Sequence, residues 1–241
     1  MEKKHYIYPD RNALVEAFVS DFSSFLKETL SSERPIHIAL SGGTTPLAIF
    51  EQLRETTTKE DWSRIHLYWG DERCVSPDDD QSNYGNASHK LLKPLGLSDE
   101  QVHRIQGEEE PESEALRYGQ VLMDHLPSEF GIPVFDWIWL GLGEDGHTAS
   151  IFPDQIKLWN DIKSCVVATH PQSGQKRISI TGNMINAARR VSFIVSGENK
   201  SKVVNEIIMK EGPYMEYPAF YVAPRLGNLE WYLDQDATAW L

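Results

Sequence analysis

Pro35-Ile-His-Ile-Ala-Leu-Ser-Gly-Gly-Thr-Thr-Pro46 reads as a short buried strand that stops at two adjacent glycines and opens a helix running through Leu53. Thr45 is the expected N-cap, with Pro46 at the first helical position. Such a turn aims backbone N–H groups and the positive end of a helix at one spot, with small hydroxyl residues beside it. That is a cradle for an anion, most simply a phosphate. The glycines are adjacent and no Lys-Ser/Thr follows, so this is not the common P-loop. His37, inside the strand, reads as a packing residue.

The same unit recurs outward along the chain. Ile65 to Trp69 is strand-like and breaks into Gly70-Asp71-Glu72-Arg73, read as a charged loop. Trp137 to Leu140 breaks at Gly141 and Gly143 into a loop carrying Asp145 and His147. Val191 to Val195 ends in Ser196-Gly197-Glu198-Asn199-Lys200 and feeds a helix through Met209. Apolar residues from Leu14 to Leu30 recur at helical spacing, and a helix to about Leu126 follows the acidic run from Gly107 to Glu112. Shorter helices are expected at Asn86 to Leu92 and Ile185 to Arg190, and strands at Cys165 to Ala168, Ile178 to Thr181 and Phe220 to Val222; the aromatic tail with Trp231 and Asp234 reads as packing.

Strands alternating with helices predict an α/β fold, a mostly parallel sheet with helices on both faces in a Rossmann-like three-layer sandwich. With no Gly/Ser/Pro-rich linker and no repeat, residues 1–241 read as a single domain. Ligands of such sheets sit beyond the carboxyl ends of the strands. Ser41 to Thr45, Asp71 to Arg73, Asp145 to His147 and Lys200 all lie there, so segments far apart in sequence are expected to share one crevice.

Composition narrows the partners. Asp+Glu total 36 against 23 Lys+Arg, a formal net charge of −13, which argues against nonspecific binding to nucleic acid or to an anionic membrane. An anionic substrate must find a local basic pocket, so individual cations matter, Arg73 above all for its bidentate fork. Cys74 and Cys165 fit neither a disulfide framework nor zinc spacing. The amino end, Met-Glu-Lys-Lys-His-Tyr, lacks a signal peptide's apolar core, and no run approaches the ~20 apolar residues of a membrane span. A cytoplasmic setting is expected.

Gly141, Gly143 and Gly146 also spell G-x-G-x-x-G. The dinucleotide reading is the weaker one, because Glu144 and Asp145 put two negative charges where a pyrophosphate would lie, and Asp161, at about the right distance, precedes the next apolar run instead of closing it. A glycine loop that mounts an imidazole beyond a buried strand suits a general base better.

With these loops assembled, the chain resembles the lactonase branch of the family that contains 6-phosphogluconolactonases and glucosamine-6-phosphate deaminases. The segments that carry the likeness are Ser41 to Pro46, Trp69 to Arg73, Gly141-Leu-Gly-Glu-Asp-Gly-His-Thr-Ala-Ser-Ile-Phe-Pro153, Arg177-Ile-Ser-Ile-Thr181 and Val195 to Lys200, together with Pro218-Ala219 and Trp231 to Asp234. The resemblance implies a cytoplasmic, metal-free and cofactor-free hydrolase of the pentose phosphate pathway acting on a phosphorylated sugar lactone. It suggests His147 as general base with Asp145 beside it. Ser41, Gly42, Gly43 and Thr44 would form the ligand loop, with Arg73, Lys200 and Arg177 near the phosphate and Lys176 a further candidate. Deaminases typically have Tyr where this chain has Arg73, and an acid five residues after the motif histidine where it has Phe152, which cannot relay a proton. Two departures from the lactonase pattern are His170-Pro-Gln-Ser-Gly-Gln-Lys176, in place of the Pro-Lys-Pro often seen there, and Asp154 where glycine is usual. The rival readings are a deaminase and a non-catalytic sugar-phosphate sensor.

Overall fold

The computed structural model describes residues 3–241; the first two residues of the amino-terminal run read above lie outside them. In chain order the strands are β1 (Lys3–Tyr8), β2 (Ile36–Leu40), β3 (Ile65–Trp69), β4 (Asp71–Arg73), β5 (Ser128–Glu129), β6 (Ile132–Pro133), β7 (Trp137–Leu140), β8 (Cys165–Thr169), β9 (Lys176–Ile180), β10 (Arg190–Val195) and β11 (Asn228–Asp234). The α-helices are α1 (Arg11–Thr29), α2 (Thr44–Thr56), α3 (Asn83–Ala87), α4 (Lys93–Leu95), α5 (Pro111–His125), α6 (Gly182–Ala187) and α7 (Ser201–Met209). A π-helical stretch, Ser88–Leu92, joins α3 to α4, and Gly96 closes this segment in the left-handed conformation.

Six strands form one parallel sheet in the order β1-β11-β10-β7-β2-β3, flanked by helices as an α/β sandwich. β2 leads outward to β3, whereas β7 pairs with β2 on its other side, so the order reverses between β2 and β7. Their carboxyl ends are the natural place for a ligand in such a sheet. The strands read as near-continuous apolar runs because both faces are covered: all five residues of β2 and all four of β7 are buried.

α1 begins at Asp10, whose carboxylate accepts from the Ala13 N–H, and turns Leu14, Val15, Phe18, Phe22 and Leu26 inward. Phe18 and Phe22 each meet Trp139 edge-on at 4.9 Å between ring centroids. One hydrophobic cluster runs from Leu14 to Ala237.

Four local readings are corrected. Asp71 to Arg73 is not a loop but β4, which pairs with β9 and, through it, β8 in a separate antiparallel sheet. Glu72 is tolerated in this buried strand because its carboxylate accepts from the Arg73, Asn83 and Tyr84 N–H groups and from the Ser82 hydroxyl. Thr45 is not the N-cap; Gly43 is, at φ 105°, a backbone state open to glycine, so the chain enters α2 earlier. Trp231 to Asp234 is not a packed tail but most of β11, an interior strand whose charged residues find partners: Glu230 accepts from the Arg190 guanidinium and the Ser192 hydroxyl. Phe220 to Val222 falls instead at a 3-10 turn, Pro218–Tyr221, where the prolines at 213 and 218 favour turning over pairing.

His37 is a packing residue, 4% exposed with Nδ1 3.2 Å from the Tyr68 hydroxyl. It belongs to a file of imidazoles in which His66 Nδ1 lies 3.0 Å from His103 Nε2 and the His103 and His125 rings are 4.5 Å apart. Burial pushes His37 down to about 4, only partly opposed by Asp136; burial also brings His103 to about 4, reinforced by His125, His66 and His37. Free histidine titrates near pH ~6.5, so between that value and about 4 the unfolded chain binds more protons than the folded one, and stability falls as pH drops through this window. Urea unfolding at pH 7 and pH 4.5 should show a loss of roughly 2–4 kcal/mol, discounted for partial exposure. An unchanged midpoint would contradict this.

Candidate active site

The parallel register sets Ile38 of β2 beside Trp137 of β7 and Ala39 beside Ile138, so the loops that follow these strands emerge side by side. Between them lies a cavity of about 250 Å³. Ser41, Gly42, Gly43, Arg73, His147, Arg177 and Lys200 all line it. Five separate stretches therefore meet at one rim.

The glycine loop contributes close backbone approach and a helix end. No side chain caps α2, which leaves its first N–H groups for a ligand. A Cβ at Gly42 would come within 1.8 Å of Asn83 Oδ1, so glycine is required there to seat that side chain. Thr44 does not line the cavity; it borders a neighbouring depression with Pro46 and Ser196, and its carbonyl accepts from Arg11. Thr45 lies within α2, its hydroxyl 2.8 Å from Ser196 Oγ.

The cations come from both sheets. Arg73 on β4 stands directly opposite Arg177 on β9, and like charges facing each other across strands oppose one another unless something between them is negative. Burial holds the Arg177 guanidinium below its ordinary range, and Arg73 adds to the effect against the pull of Asp71 and Glu72. Arg73 Nη1 donates to the Gln81 carbonyl at 2.7 Å. The Nε atoms of Arg73 and Arg177 are buried with no hydrogen-bond partner among the described residues, a cost that an anion's oxygens would offset. Lys200 enters from the turn after β10, where burial lowers its pKa despite Glu144 and Asp145. Its turn is anchored by Asp234, whose carboxylate accepts from the Gly197 N–H at 3.0 Å and the Ala237 N–H at 2.8 Å. Lys176 points elsewhere, donating to Thr169 Oγ1.

Asp145 and His147 form a contact pair. Asp145 Oδ1 lies 2.6 Å from His147 Nδ1 and also accepts the His147 backbone N–H at 3.1 Å. Although burial raises the Asp145 pKa, the bond and charge of His147 outweigh it and hold the carboxyl below its usual value. An ionised carboxylate only accepts, so in the neutral imidazole the proton sits on Nδ1 and Nε2 is the bare nitrogen. The Phe152 ring packs 4.7 Å from the His147 ring. A Cβ at Gly143 would fall 2.1 Å from His147 Nδ1 and 2.5 Å from Asp145 Oδ1, so this glycine makes room for the pair.

Several lining residues escape sequence reasoning. Asn83 reaches the rim by donating to the Asp71 carbonyl at 2.9 Å, a contact across a loop that no periodicity announces. Asp71 was expected at the crevice, but not its burial: it is 5% exposed and accepts from the Ser150 hydroxyl at 2.6 Å. Ala149 and Leu142 complete the apolar wall.

The assembly sets the Asp145–His147 pair beside three cations, Arg73, Arg177 and Lys200, in a chain of net charge −13, with no helix among the described residues long and apolar enough to cross a membrane. The family model described as glucosamine-6-phosphate isomerases/6-phosphogluconolactonase matches residues 9–231. A 6-phosphogluconolactonase from Treponema pallidum (strain Nichols) is 44% identical over 206 residues, covering 85% of this chain and 83% of that one. Another, from Aggregatibacter actinomycetemcomitans, is 39% identical over 232 residues, covering 95% and 96%. The solved structure of 6-phosphogluconolactonase from Trypanosoma brucei superposes with a TM-score of 0.86 at 26% identity, over 100% of this chain and 99% of the other.

Proposed function

This chain belongs to the glucosamine-6-phosphate isomerase/6-phosphogluconolactonase family, and from that premise we propose that it hydrolyses 6-phospho-D-glucono-1,5-lactone to 6-phosphogluconate with His147 as general base. The observation that carries the reading is the Asp145 contact at 2.6 Å, which fixes the His147 proton on Nδ1 while the ring borders the cation-lined cavity. Arg73, Arg177 and Lys200, with the backbone of Ser41, Gly42 and Gly43, grip the phosphate. Thr44 serves only through its place at the start of α2. Remote binding energy then holds the lactone carbonyl by the imidazole.

In the reaction, Nε2 of His147 takes a proton as water attacks the carbonyl carbon, forming a tetrahedral intermediate. Collapse breaks the bond to the ring oxygen, which receives that proton and becomes the hydroxyl of the open-chain acid. No acyl-enzyme forms and no metal or cofactor is called for. Asp145 stabilises the imidazolium in between. The charge that develops on the carbonyl oxygen calls for a donor, either a backbone N–H that the phosphate leaves free or a nearby cation.

The whole chain acts as one catalytic domain in this reading, supported by its continuous core. The reaction is placed in the cytoplasm, a setting that suits the two free thiols of Cys74 and Cys165.

The deciding experiment is hydrolysis of freshly prepared 6-phosphogluconolactone, corrected for spontaneous opening. Acceleration supports the proposal; ammonia release from glucosamine 6-phosphate without lactone hydrolysis would replace it with the deaminase, and binding without turnover of either would leave a sensor. Arg177→Ala should raise KM by about tenfold to a hundredfold with a smaller change in kcat, because the lost contact is to a group remote from the reacting bond. A drop confined to kcat would contradict that role.

A further inference from the structure

His147 borders a second cavity, of about 290 Å³, whose other walls include Glu144, Asp145, His170, Gln172 and Lys200. His170 opens the turn between β8 and β9, where its N–H donates to the Gln175 carbonyl and its carbonyl accepts from Gly174, each at 2.9 Å. Its ring is oriented from within that turn: Nδ1 accepts the Gln172 N–H at 3.3 Å and the Ser173 N–H at 3.2 Å. A nitrogen that accepts two backbone N–H groups carries no proton, so the neutral ring bears its proton on Nε2. Burial, then Arg177 and His147, lowers the His170 pKa and favours that neutral form.

The two imidazoles are therefore opposites. Asp145 makes His147 a proton acceptor at Nε2; the turn makes His170 a proton donor at Nε2. Phe152 spaces them, its ring 4.7 Å from one and 5.3 Å from the other, with the Arg177 guanidinium 5.7 Å above it.

The substrate's connectivity assigns the second cavity. From the phosphate, the chain of bonds passes through the methylene, the ring carbon that bears it and the ring oxygen to the carbonyl carbon. With the phosphate among the arginines and the carbonyl at His147, the ring oxygen lies on the phosphate side. The carbon bonded to the carbonyl on its other side leads away from Arg73 and Arg177, neither of which lines the second cavity, and it carries a hydroxyl. We propose that this hydroxyl, on the carbon adjacent to the carbonyl, enters the second cavity and accepts a hydrogen bond from His170 Nε2, making His170 a specificity-determining residue. The assignment rests on the lactonase reading given above.

The test compares 6-phosphogluconolactone with the analogue lactone lacking only that hydroxyl, in the unmodified chain, His170→Ala and His170→Gln. His170→Ala should lower kcat/KM on the complete substrate by about tenfold, the worth of one hydrogen bond, and on the analogue by less than about twofold. His170→Gln, whose amide N–H₂ reaches the position of Nε2, should restore most of the loss. Equal losses on both lactones, or none on either, would overturn the subsite while leaving the hydrolysis itself established. No turnover of either lactone by the unmodified chain would overturn the functional reading, and the subsite with it.

Discussion

Replacing His147 by alanine lowers kcat by on the order of 10²–10⁴ and leaves KM for the phosphorylated lactone within a few fold. The size follows from what disappears. Without the imidazole, water must attack the carbonyl with no acceptor for its proton and no donor for the departing ring oxygen. The residual rate comes from orientation by the cations and from the glycine backbone, neither of which the substitution touches. Stability should barely respond, since the His147 side chain is 24% exposed and its chief partner, Asp145, is more exposed still. Full activity in this variant, measured with the spontaneous opening subtracted, would remove His147 from the mechanism.

Gly143→Ala should approach the same loss without removing any functional group. Its Cβ would stand 2.1 Å from His147 Nδ1 and 2.5 Å from Asp145 Oδ1, well inside contact distance of both members of the pair. Side-chain ends yield before backbone does, so the imidazole and carboxylate part and the fold survives. The bond that fixes the proton on Nδ1 is then lost, and the base meets the carbonyl in the wrong orientation or tautomer. A fall in kcat of about 10²-fold with little change in melting temperature is expected. A variant that keeps both its rate and its melting temperature would show that the loop relaxes around the methyl and that the pair does not depend on this glycine.

The elements that were legible in the sequence are those whose signal is local. β2, β3, β7 and β10 announce themselves as apolar runs broken by glycine or charge, and α1 by its spacing from Leu14 to Leu26. The convergence of Ser41, Arg73, His147 and Lys200 followed from one topological rule, that parallel strands present their carboxyl ends on the same side, whereas Arg177, near the start of an antiparallel strand, was a candidate only through the family resemblance. What escaped depends on pairing between distant segments. β4 looks like a loop because Asp71-Glu72-Arg73 is fully charged, and its carboxylates are made tolerable by donors from Arg73, Ser82, Asn83, Tyr84 and Ser150. β11 hid for a similar reason, its Glu230 and Asp234 being neutralised by Arg190 and by the Gly197 and Ala237 N–H groups. The role of Gly43 as helix cap was masked by the more familiar capping chemistry of Thr45.

The accessory sheet sets a limit on how this chain can vary. Strand residues alternate between faces, so a single residue gained or lost inside β9 would turn Arg177 to the reverse side and bring a neighbour opposite Arg73 in its place. The slip would disturb the buried Ile178 and Ile180, and in the proposed reading it would also cost the phosphate one of its three cations. Length in this strand is thus policed by charge as well as by burial, whereas the exposed hairpin turn beside it is free to drift wherever His170 has no part in recognition.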